Sequence, residues 1–256
     1  MKVTLLQTDI RWARPDENIR QAARMMAGAT PADLYVLPEM WSTGFATEPE
    51  NIAEDEARSE ALAWMQQEAR ERRCAISGSL AVRITDGTYR NRHYFADGRT
   101  GTLSIYDKHH LFSYGGENRF YTPGQKHTVV SYCGWRLLLL TCYDLRFPCW
   151  DRYADDREYD AIVIVANWPE SRQNVWHLLT RARAIENQCC LIGCNRVGED
   201  RYSHYTGASC VIDAFGNTLG QCRRNREDTL TVELDLEKLN HGRRRFCVLD
   251  DRDKSY

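Results

Sequence analysis

The hydrophobic positions along the chain follow two spacings, and these predict strands interleaved with a few amphipathic helices. Short, largely apolar runs occupy residues 3–10, 34–37, 137–140 and 161–166. Each run is shorter than a typical helix and passes directly into polar residues. Strands that are apolar on both faces need cover on both sides, so these runs predict layered sheets flanked by helices.

Three longer segments carry apolar residues at helical spacing. The first begins at Pro15 and Asp16, which form a helix-start signal. The second covers residues 56–73 and the third covers residues 175–187. The predicted inner faces contain Ile19, Ala22, Ala23 and Met26 in the first helix, Ala61, Leu62, Met65 and Ala69 in the second, and Leu178, Leu179, Ala182 and Ile185 in the third.

Closely spaced turn signals separate the strand-like segments at residues 74–82, 89–96 and 102–106. The signals are Asp86-Gly87 and Asp97-Gly98, which predict hairpins and therefore an antiparallel or mixed sheet in this region. Later strands are predicted at residues 189–194, 209–213 and 229–234, with a hairpin turn at Phe215-Gly216-Asn217.

The composition is that of an ordinary globular protein, since 43% of the 256 residues are apolar and 27% are charged. This length fits one large domain over residues 1–256 better than two small ones. The net charge of −2 gives no general attraction to nucleic acid or to an anionic membrane, so we expect neither as a partner. The basic cluster Arg243, Arg244 and Arg245 is expected to be a solvated face.

Features of targeting and of metal binding are also missing from the sequence. The first apolar stretch is too short for a signal peptide, and no apolar run has the length of a membrane span, so we expect the protein to stay in the cytoplasm. The reducing conditions of the cytoplasm argue against disulfides between the ten cysteines. Cys189, Cys190 and Cys194 lack the paired spacing of a zinc site, and the adjacent His109 and His110 tend to point apart. We therefore expect no metal.

Three polar residues stand where predicted strands end, and together they meet the needs of amide hydrolysis. Glu39, Lys108 and Cys142 follow the strands at residues 34–37, 102–106 and 137–140. Taken singly, each has an ordinary structural explanation. Amide hydrolysis needs a nucleophile, a base that deprotonates it, and a positive group where the oxyanion forms. A thiol with a pKa of about 8.5 is mostly protonated at neutral pH, so it needs a base or a cationic neighbour.

The chain resembles the nitrilase superfamily in three segments, which are LPEM at Glu39, YDKHHLF at Lys108 and CYDLRFP from Cys142. The resemblance extends from residue 3 to about residue 239. It implies an α/β fold, a four-layer α-β-β-α sandwich, that usually pairs into a homodimer. It also implies a Glu39–Lys108–Cys142 triad, a thioester intermediate, and a second active-site glutamate at Glu117 that positions Lys108 and the substrate amide. The backbone N–H of Tyr143 is expected to donate to the oxyanion.

The segment CYDLRFP and three further segments, ANWP, RAIENQ and GCNRVG, resemble the bacterial omega-amidase group. That resemblance implies hydrolysis of the terminal amide of short α-keto acid monoamides, such as 2-oxoglutaramate and 2-oxosuccinamate, to the dicarboxylate and ammonia. No cofactor is implied, because the chain itself supplies the nucleophile, the base and the oxyanion donors.

A small anionic substrate calls for an aromatic wall and a donor to its carboxylate. Trp168, Met40 and Phe45 are the candidates for the wall, with core packing as the alternative for each. Asn167 and the backbone amides after Trp168 are candidate carboxylate donors. Arg146 could also grip a carboxylate, but a structural ion pair with Glu186 is the favoured interpretation.

Several other functions use the same residues. An amidase for deaminated glutathione or for an N-carbamoyl amino acid would keep the triad with a longer pocket, and a true nitrilase would keep it too. A catalytically silent scaffold on this fold is a further alternative, which the intact triad and Glu117 disfavour. A thiol redox protein is disfavoured because Cys142 lacks a C-x-x-C partner.

Overall fold

The computed structural model of the protein describes residues 1–253, and their strands form two main sheets and a small hairpin. The first sheet contains β1 (Lys2–Gln7), β2 (Leu34–Val36), β3 (Glu54–Asp55), β4 (Ala75–Arg83), β5 (Tyr89–Asp97), β6 (Leu103–Asp107) and β15 (Asp228–Glu233). The second contains β7 (Val129–Tyr132), β8 (Trp135–Thr141), β9 (Ala161–Ala166), β10 (Cys190–Asn195), β13 (Cys210–Ile212) and β14 (Thr218–Gln221). The hairpin consists of β11 (Val197–Glu199) and β12 (His204–Thr206).

Both sheets are mixed, and the turn signals predicted the antiparallel hairpins of the first sheet. The first has the order β15-β1-β2-β4-β5-β6, with β3 paired to β4, and the second has the order β14-β13-β10-β9-β8-β7. In the first sheet β1, β2 and β4 are parallel, whereas β4, β5 and β6 form antiparallel hairpins. In the second sheet β8, β9 and β10 are parallel. The four apolar runs of the sequence correspond to β1, β2, β8 and β9, which are buried strands in the parallel parts of the two sheets.

The helices are α1 (Pro15–Gly28), α2 (Glu60–Arg72), α3 (Pro148–Asp151), α4 (Gln173–Glu186) and α5 (Leu236–Arg245). Alternate residues of the first sheet face opposite sides. Leu5 and Phe95 pack in one core with the second sheet, whereas Leu6 and Tyr94 pack in another with residues of α1 and α2. On the far side of the second sheet, Trp176 of α4 and Leu239 of α5 join its core. The predicted four-layer α-β-β-α sandwich is confirmed.

The second helix begins later than the sequence predicted, but it buries the predicted face. Its first residue is Glu60, because the Ser59 side chain accepts a hydrogen bond from the backbone N–H of Leu62 at 3.0 Å and caps the helix there. Residues 56–58 form a separate 3₁₀ turn. All of Ala61, Leu62, Met65 and Ala69 are buried.

The predicted inner face of the third long helix, α4, is wrong for two of its four residues. Leu179 packs against the core as predicted, but Leu178 and Ile185 are 61% and 49% exposed. The buried residues of the helix include Trp176, Thr180 and Arg183. Arg183 is buried because its guanidinium contacts Asp151 at 2.6 Å and donates to the Leu145 carbonyl at 2.7 Å. These polar partners lie far away in sequence, so apolar spacing alone could not identify the buried side.

None of the helices within residues 1–253 combines the length and the apolar character needed to cross a membrane.

Candidate active site

Glu39, Lys108 and Cys142 come together where strands of the two sheets end. Glu39 lies shortly beyond β2 and Lys108 directly beyond β6 in the first sheet, and Cys142 directly follows β8 in the second sheet. Glu39 and Lys108 are almost completely shielded from solvent. The face-to-face packing of the sheets therefore brings side chains from distant parts of the chain to one buried point.

Lys108 lies between two carboxylates. Its Nζ is 2.8 Å from Glu39 Oε1 and 2.9 Å from Glu117 Oε2, and all three side chains are fully buried. Burial by itself lowers the pKa of Lys108, but the charges of Glu117 and Glu39 outweigh it and raise that pKa well above its ordinary value. Lys108 therefore carries a positive charge at neutral pH.

Glu117 begins a 3₁₀ turn, Glu117–Arg119, and accepts a hydrogen bond from the backbone N–H of Phe112 at 2.6 Å. Burial, and to a smaller extent the nearby negative charge of Glu39, raises the pKa of the Glu117 carboxyl, although Lys108 opposes them.

Asn91 of β5 is a member of this cluster that the sequence analysis missed. Its Nδ2 donates to Glu39 Oε1 at 2.8 Å and to Glu117 Oε1 at 2.9 Å. The residue is buried in the interior of a strand. An uncharged asparagine at an inward position of β5, on the same side of the strand as His93 and Phe95, is the one signal in the sequence that could have indicated it.

Cys142 has an unusual backbone conformation. It begins the 3₁₀ turn Cys142–Arg146 with φ = 44°, in the left-handed region that non-glycine residues rarely adopt. Such strain concentrates at functional positions, where the surrounding structure holds it. Burial, followed by the negative charge of Glu39, raises the pKa of the thiol well above its ordinary value, although Lys108 opposes them. The resting thiol is therefore protonated.

A buried carboxylate braces the turn that carries Cys142. Asp144 Oδ2 accepts hydrogen bonds from the Tyr106 hydroxyl at 2.7 Å and from the backbone N–H of Thr141 at 3.0 Å. Its Oδ1 accepts from the backbone N–H of His110 at 2.9 Å. These bonds tie the turn to the segment that carries Lys108, so the two functional groups keep a fixed separation.

A cavity of about 1260 Å³ opens over Cys142. Its lining includes Phe45, Phe112, Cys142, Tyr143, Arg146, Asn167, Trp168 and Arg172. Phe45 and Trp168 therefore lie where the sequence analysis expected a wall, and the Phe45 ring centroid is 5.3 Å from Lys108 Nζ. Tyr143 packs edge-on against Phe112 and Phe147 at 5.1 Å.

Met40 does not belong to this wall. It is fully buried and packs in a small core with Ala46, Ala81 and Tyr121, which lies behind the cavity-lining Phe45. The backbone turns sharply at Met40, where φ is 44°, and its N–H donates to Ser79 Oγ at 2.9 Å. Met40 directly follows Glu39 in the sequence, but its side chain does not share the environment of Glu39.

Asn167 was expected to donate to the substrate carboxylate, but the hydrogen bonds that it donates go to Glu39. Its backbone N–H donates to Glu39 Oε2 at 2.9 Å, and its Nδ2 donates to the Glu39 carbonyl at 2.7 Å. The Asn167 carbonyl oxygen is 4.0 Å from Cys142 Sγ. The residue thus holds Glu39 beside the thiol.

The predicted ion pair between Arg146 and Glu186 is wrong. Glu186 contacts Arg183 at 2.8 Å and Arg152 at 3.7 Å. Arg146 instead lines the cavity, with its guanidinium 5.1 Å from the centroid of the Trp168 ring. Arg172 lines the same cavity and lies 5.3 Å from the centroid of Phe112. Within residues 1–253, neither arginine has a carboxylate partner.

A layered sandwich with a buried Glu–Lys–Glu cluster beside a strained cysteine defines a hydrolase of the nitrilase superfamily. The model of the carbon-nitrogen hydrolase family matches residues 2–244. The chain therefore belongs to the carbon-nitrogen hydrolase family.

Named relatives and a solved structure resemble the chain over almost its whole length. Omega-amidase YafV of Yersinia enterocolitica is 40% identical, over 99% of this chain and 97% of its own. The 2-oxoglutaramate amidase of Bacillus subtilis is 34% identical, over 97% of this chain and 96% of its own. A CN-hydrolase superfamily protein from Xanthomonas campestris, with an arsenic adduct in its active site, superimposes with a TM-score of 0.94 at 36% identity, covering 99% and 97% of the two chains.

Proposed function

We propose that the chain, as one hydrolase domain, is an omega-amidase that hydrolyses the terminal amide of short α-keto acid monoamides. Its substrates would be 2-oxoglutaramate and 2-oxosuccinamate, and its products the dicarboxylate and ammonia. The observation that carries the proposal is the contact of Lys108 with both Glu39 and Glu117 beside the Cys142 thiol. The omega-amidase and 2-oxoglutaramate amidase relatives support the choice of substrate.

In the first half of the reaction, the Cys142 sulfur attacks the amide carbon while Glu39 takes the thiol proton. Glu39 suits this step because the thiol is protonated at rest and the carboxylate lies against it. The oxyanion forms near the Lys108 ammonium and the backbone N–H of Tyr143, which lies in the first turn of a 3₁₀ helix where N–H groups lack helical partners. Glu39 then passes its proton to the departing ammonia, which leaves a thioester on Cys142.

In the second half, water attacks the thioester carbon while Glu39 takes a proton from that water. Collapse of the tetrahedral intermediate breaks the carbon–sulfur bond, and the sulfur regains a proton from Glu39. The new carboxylic acid loses its proton to solvent. Glu117 keeps Lys108 in place through both halves, because its Oε2 accepts a second hydrogen bond from the ammonium at 2.9 Å.

Arg146 is the group we assign to the carboxylate of the substrate. It is a guanidinium on the cavity wall without a carboxylate partner in residues 1–253, and such a group recognises a carboxylate through paired hydrogen bonds. Phe45 and Trp168 form the aromatic wall beside the carbon chain. Asn167 acts on the substrate only indirectly, by holding Glu39.

The test is ammonia release from 2-oxoglutaramate, 2-oxosuccinamate, deaminated glutathione, an N-carbamoyl amino acid and a simple nitrile. We expect the two short keto amides to be turned over fastest. Cys142→Ala should abolish turnover and keep the native circular dichroism spectrum, whereas Cys149→Ala, an exposed cysteine seven residues away, should keep full activity. Turnover of a different compound would move the enzyme to another branch, and an active Cys142→Ala variant would overturn the mechanism.

We also propose that the protein is a homodimer that pairs through an apolar patch on α4. Leu178 and Ile185 are two turns apart on one side of the helix, and Phe215 and Phe246 are 56% and 65% exposed. Arg181 of α4 donates to the Gly216 carbonyl at 3.1 Å, and Gln188 donates to the Phe246 carbonyl at 2.6 Å, so these aromatic residues adjoin the helix. Exposed apolar patches of this kind mark contact surfaces.

The mass of the protein in solution tests this pairing. Light scattering should give the dimer mass for the native chain and the monomer mass for Ile185→Glu. Ile105→Glu is the matched control, because Ile105 is a similarly exposed isoleucine on β6 of the other sheet. A monomeric native chain, or equal dissociation by the control, would contradict the proposal.

A further inference from the structure

Asn91 and Lys108 are the two side chains of the cluster that each contact both glutamates. Its Nδ2 carries two hydrogens, and it lies 2.8 Å from Glu39 Oε1 and 2.9 Å from Glu117 Oε1. Each carboxylate therefore accepts one bond from the Lys108 ammonium and one from the Asn91 amide. The amide and the ammonium together connect the two carboxylates.

Ser79 of β4 fixes which way the Asn91 amide points. The Ser79 hydroxyl accepts a bond from the backbone N–H of Met40 at 2.9 Å and donates its single hydrogen to Asn91 Oδ1 at 2.9 Å. In this arrangement Asn91 Oδ1 accepts the hydroxyl hydrogen, so the amide oxygen faces Ser79. The Nδ2 group consequently faces the carboxylates, and an amide turned the other way would set its oxygen against two anions.

The charge of the cluster shows why a neutral donor is useful there. Two carboxylates and one ammonium give a net charge of −1 in a site shielded from water. Burial, and then the neighbouring Glu39, push the pKa of Glu117 upward, while hydrogen bonds from Asn91 and Phe112 pull it downward. A second ammonium would satisfy the carboxylates but would also compete for the thiolate. An amide stabilises both anions without adding charge.

We propose that Asn91, oriented by Ser79, is a positioning residue that holds Glu39 in place and keeps Glu117 ionised beside Lys108, so that Glu39 can accept the proton of Cys142. The inference rests on the proposed function, since it assumes that Glu39 is the base. Asn91 itself acts through the glutamates and does not contact the reacting atoms.

The pH dependence of kcat/KM for 2-oxoglutaramate tests this role with Asn91→Ala and Asn91→Asp. The hydrogen bond from Asn91 lowers the pKa of the Glu117 carboxyl, so loss of this donor raises that pKa. Because an ionised Glu117 is needed to hold the Lys108 ammonium in place, the acid limb of the profile should move to higher pH, by about one unit for Asn91→Ala. Asn91→Asp has nearly the same shape but adds a third carboxylate, so its shift should be larger. A purely structural role would lower the melting temperature and leave the limb in place.

Two serines of β4 provide a matched pair of milder variants. Ser79 contacts Asn91 and Ser77 contacts His93, in both cases a fully buried bond from β4 to β5, at 2.9 Å and 2.7 Å. Ser79→Ala and Ser77→Ala should therefore lose similar stability, but only Ser79→Ala should move the acid limb upward. A native limb in Ser79→Ala and in whichever Asn91 variants fold would overturn the inference, and so would an equal shift in Ser77→Ala.

Glu39→Gln separates failure of this inference from failure of the proposed function. If Glu39→Gln keeps the native turnover number, the assignment of Glu39 as the base is wrong, whatever the Asn91 variants do. If Glu39→Gln is inactive and the Asn91 and Ser79 variants keep the native limb, the proposed function stands and the positioning role of Asn91 is wrong.

Discussion

Lys108 at the inner end of the cavity contacts two carboxylates, whereas Arg146 and Arg172 on the cavity wall lie over aromatic rings and have no carboxylate partner in residues 1–253. The Lys108 ammonium and its two carboxylate partners are fully buried, whereas the two arginines are half-buried. A buried charge without partners would be costly, so the inner cluster can exist only when its members satisfy one another.

This difference separates two tasks within one site. Groups that act on the transition state must already be oriented before the substrate arrives, and reciprocal hydrogen bonds give that orientation. Groups that bind the substrate need free hydrogen-bonding capacity, which the stacked guanidinium groups retain. We therefore expect changes in the inner cluster to lower kcat and changes on the wall to raise KM.

The largest effect is expected from Lys108→Met, which removes the cation from the inner cluster. The turnover number at saturating substrate should fall by about 10²–10³-fold, because an oxyanion donor of this kind serves the transition state. Steady-state kinetics would measure it. A change confined to KM would contradict the comparison between the inner cluster and the wall.

The same variant should also lose stability in a pH-dependent way. Burial already raises the pKa of Glu117 and Lys108 opposes this, so without Lys108 the folded pKa of Glu117 rises further above the unfolded value of about 4.3. A carboxyl group with a raised folded pKa favours folding at low pH and loses that contribution as pH rises. The melting-temperature difference between the native protein and Lys108→Met should therefore widen as pH increases above about 4.3.

An intermediate effect is expected from Arg146→Gln on the wall. The KM for 2-oxoglutaramate should rise by about 10–100-fold, the equivalent of a lost charge-assisted hydrogen bond, with a much smaller change in kcat. A short neutral amide has no carboxylate for Arg146 to bind, so its kcat/KM should be nearly the same for the native enzyme and the variant. An equal loss on both amides would show that Arg146 has a structural role.

The sequence predicted the positions of Glu39, Lys108 and Cys142 because each follows an apolar strand, and strand ends carry polar groups for a physical reason. The strand must leave the core there, and the polar backbone and side chains of the next residues need partners or solvent. The chemical requirement for a nucleophile, a base and a cation then joined residues that are far apart in the chain. Their contacts in the structure agree with that grouping.

The sequence could not predict which way neighbouring side chains point. Met40 directly follows Glu39 but enters a separate core, because the backbone turns there through a left-handed conformation. Asn91 sits within a predicted strand that carries several other polar residues. Its position in that strand therefore did not predict its contacts with two glutamates on other segments. In α4 the buried side is set by Arg183 and its distant partner Asp151. All three depend on tertiary contacts that residue spacing does not encode.

The smallest effect is expected from Arg172→Gln, which sharpens the comparison within the wall itself. The Arg172 carbonyl accepts a hydrogen bond from Trp168 Nε1 at 2.8 Å, and this backbone contact survives the substitution. What is lost is a guanidinium over the Phe112 ring, worth about 0.5–1 kcal/mol where solvent is near, together with attraction of an anion into the cavity. We expect kcat/KM to fall by about threefold at low salt, with the difference shrinking as ionic strength rises because mobile ions screen the charge.

Kinetics at two salt concentrations would measure this, with Arg146→Gln as the comparison. Arg146 contacts the bound carboxylate in the proposed complex, so its effect should persist at high salt, and an Arg172 effect that persisted equally would place both arginines on the substrate.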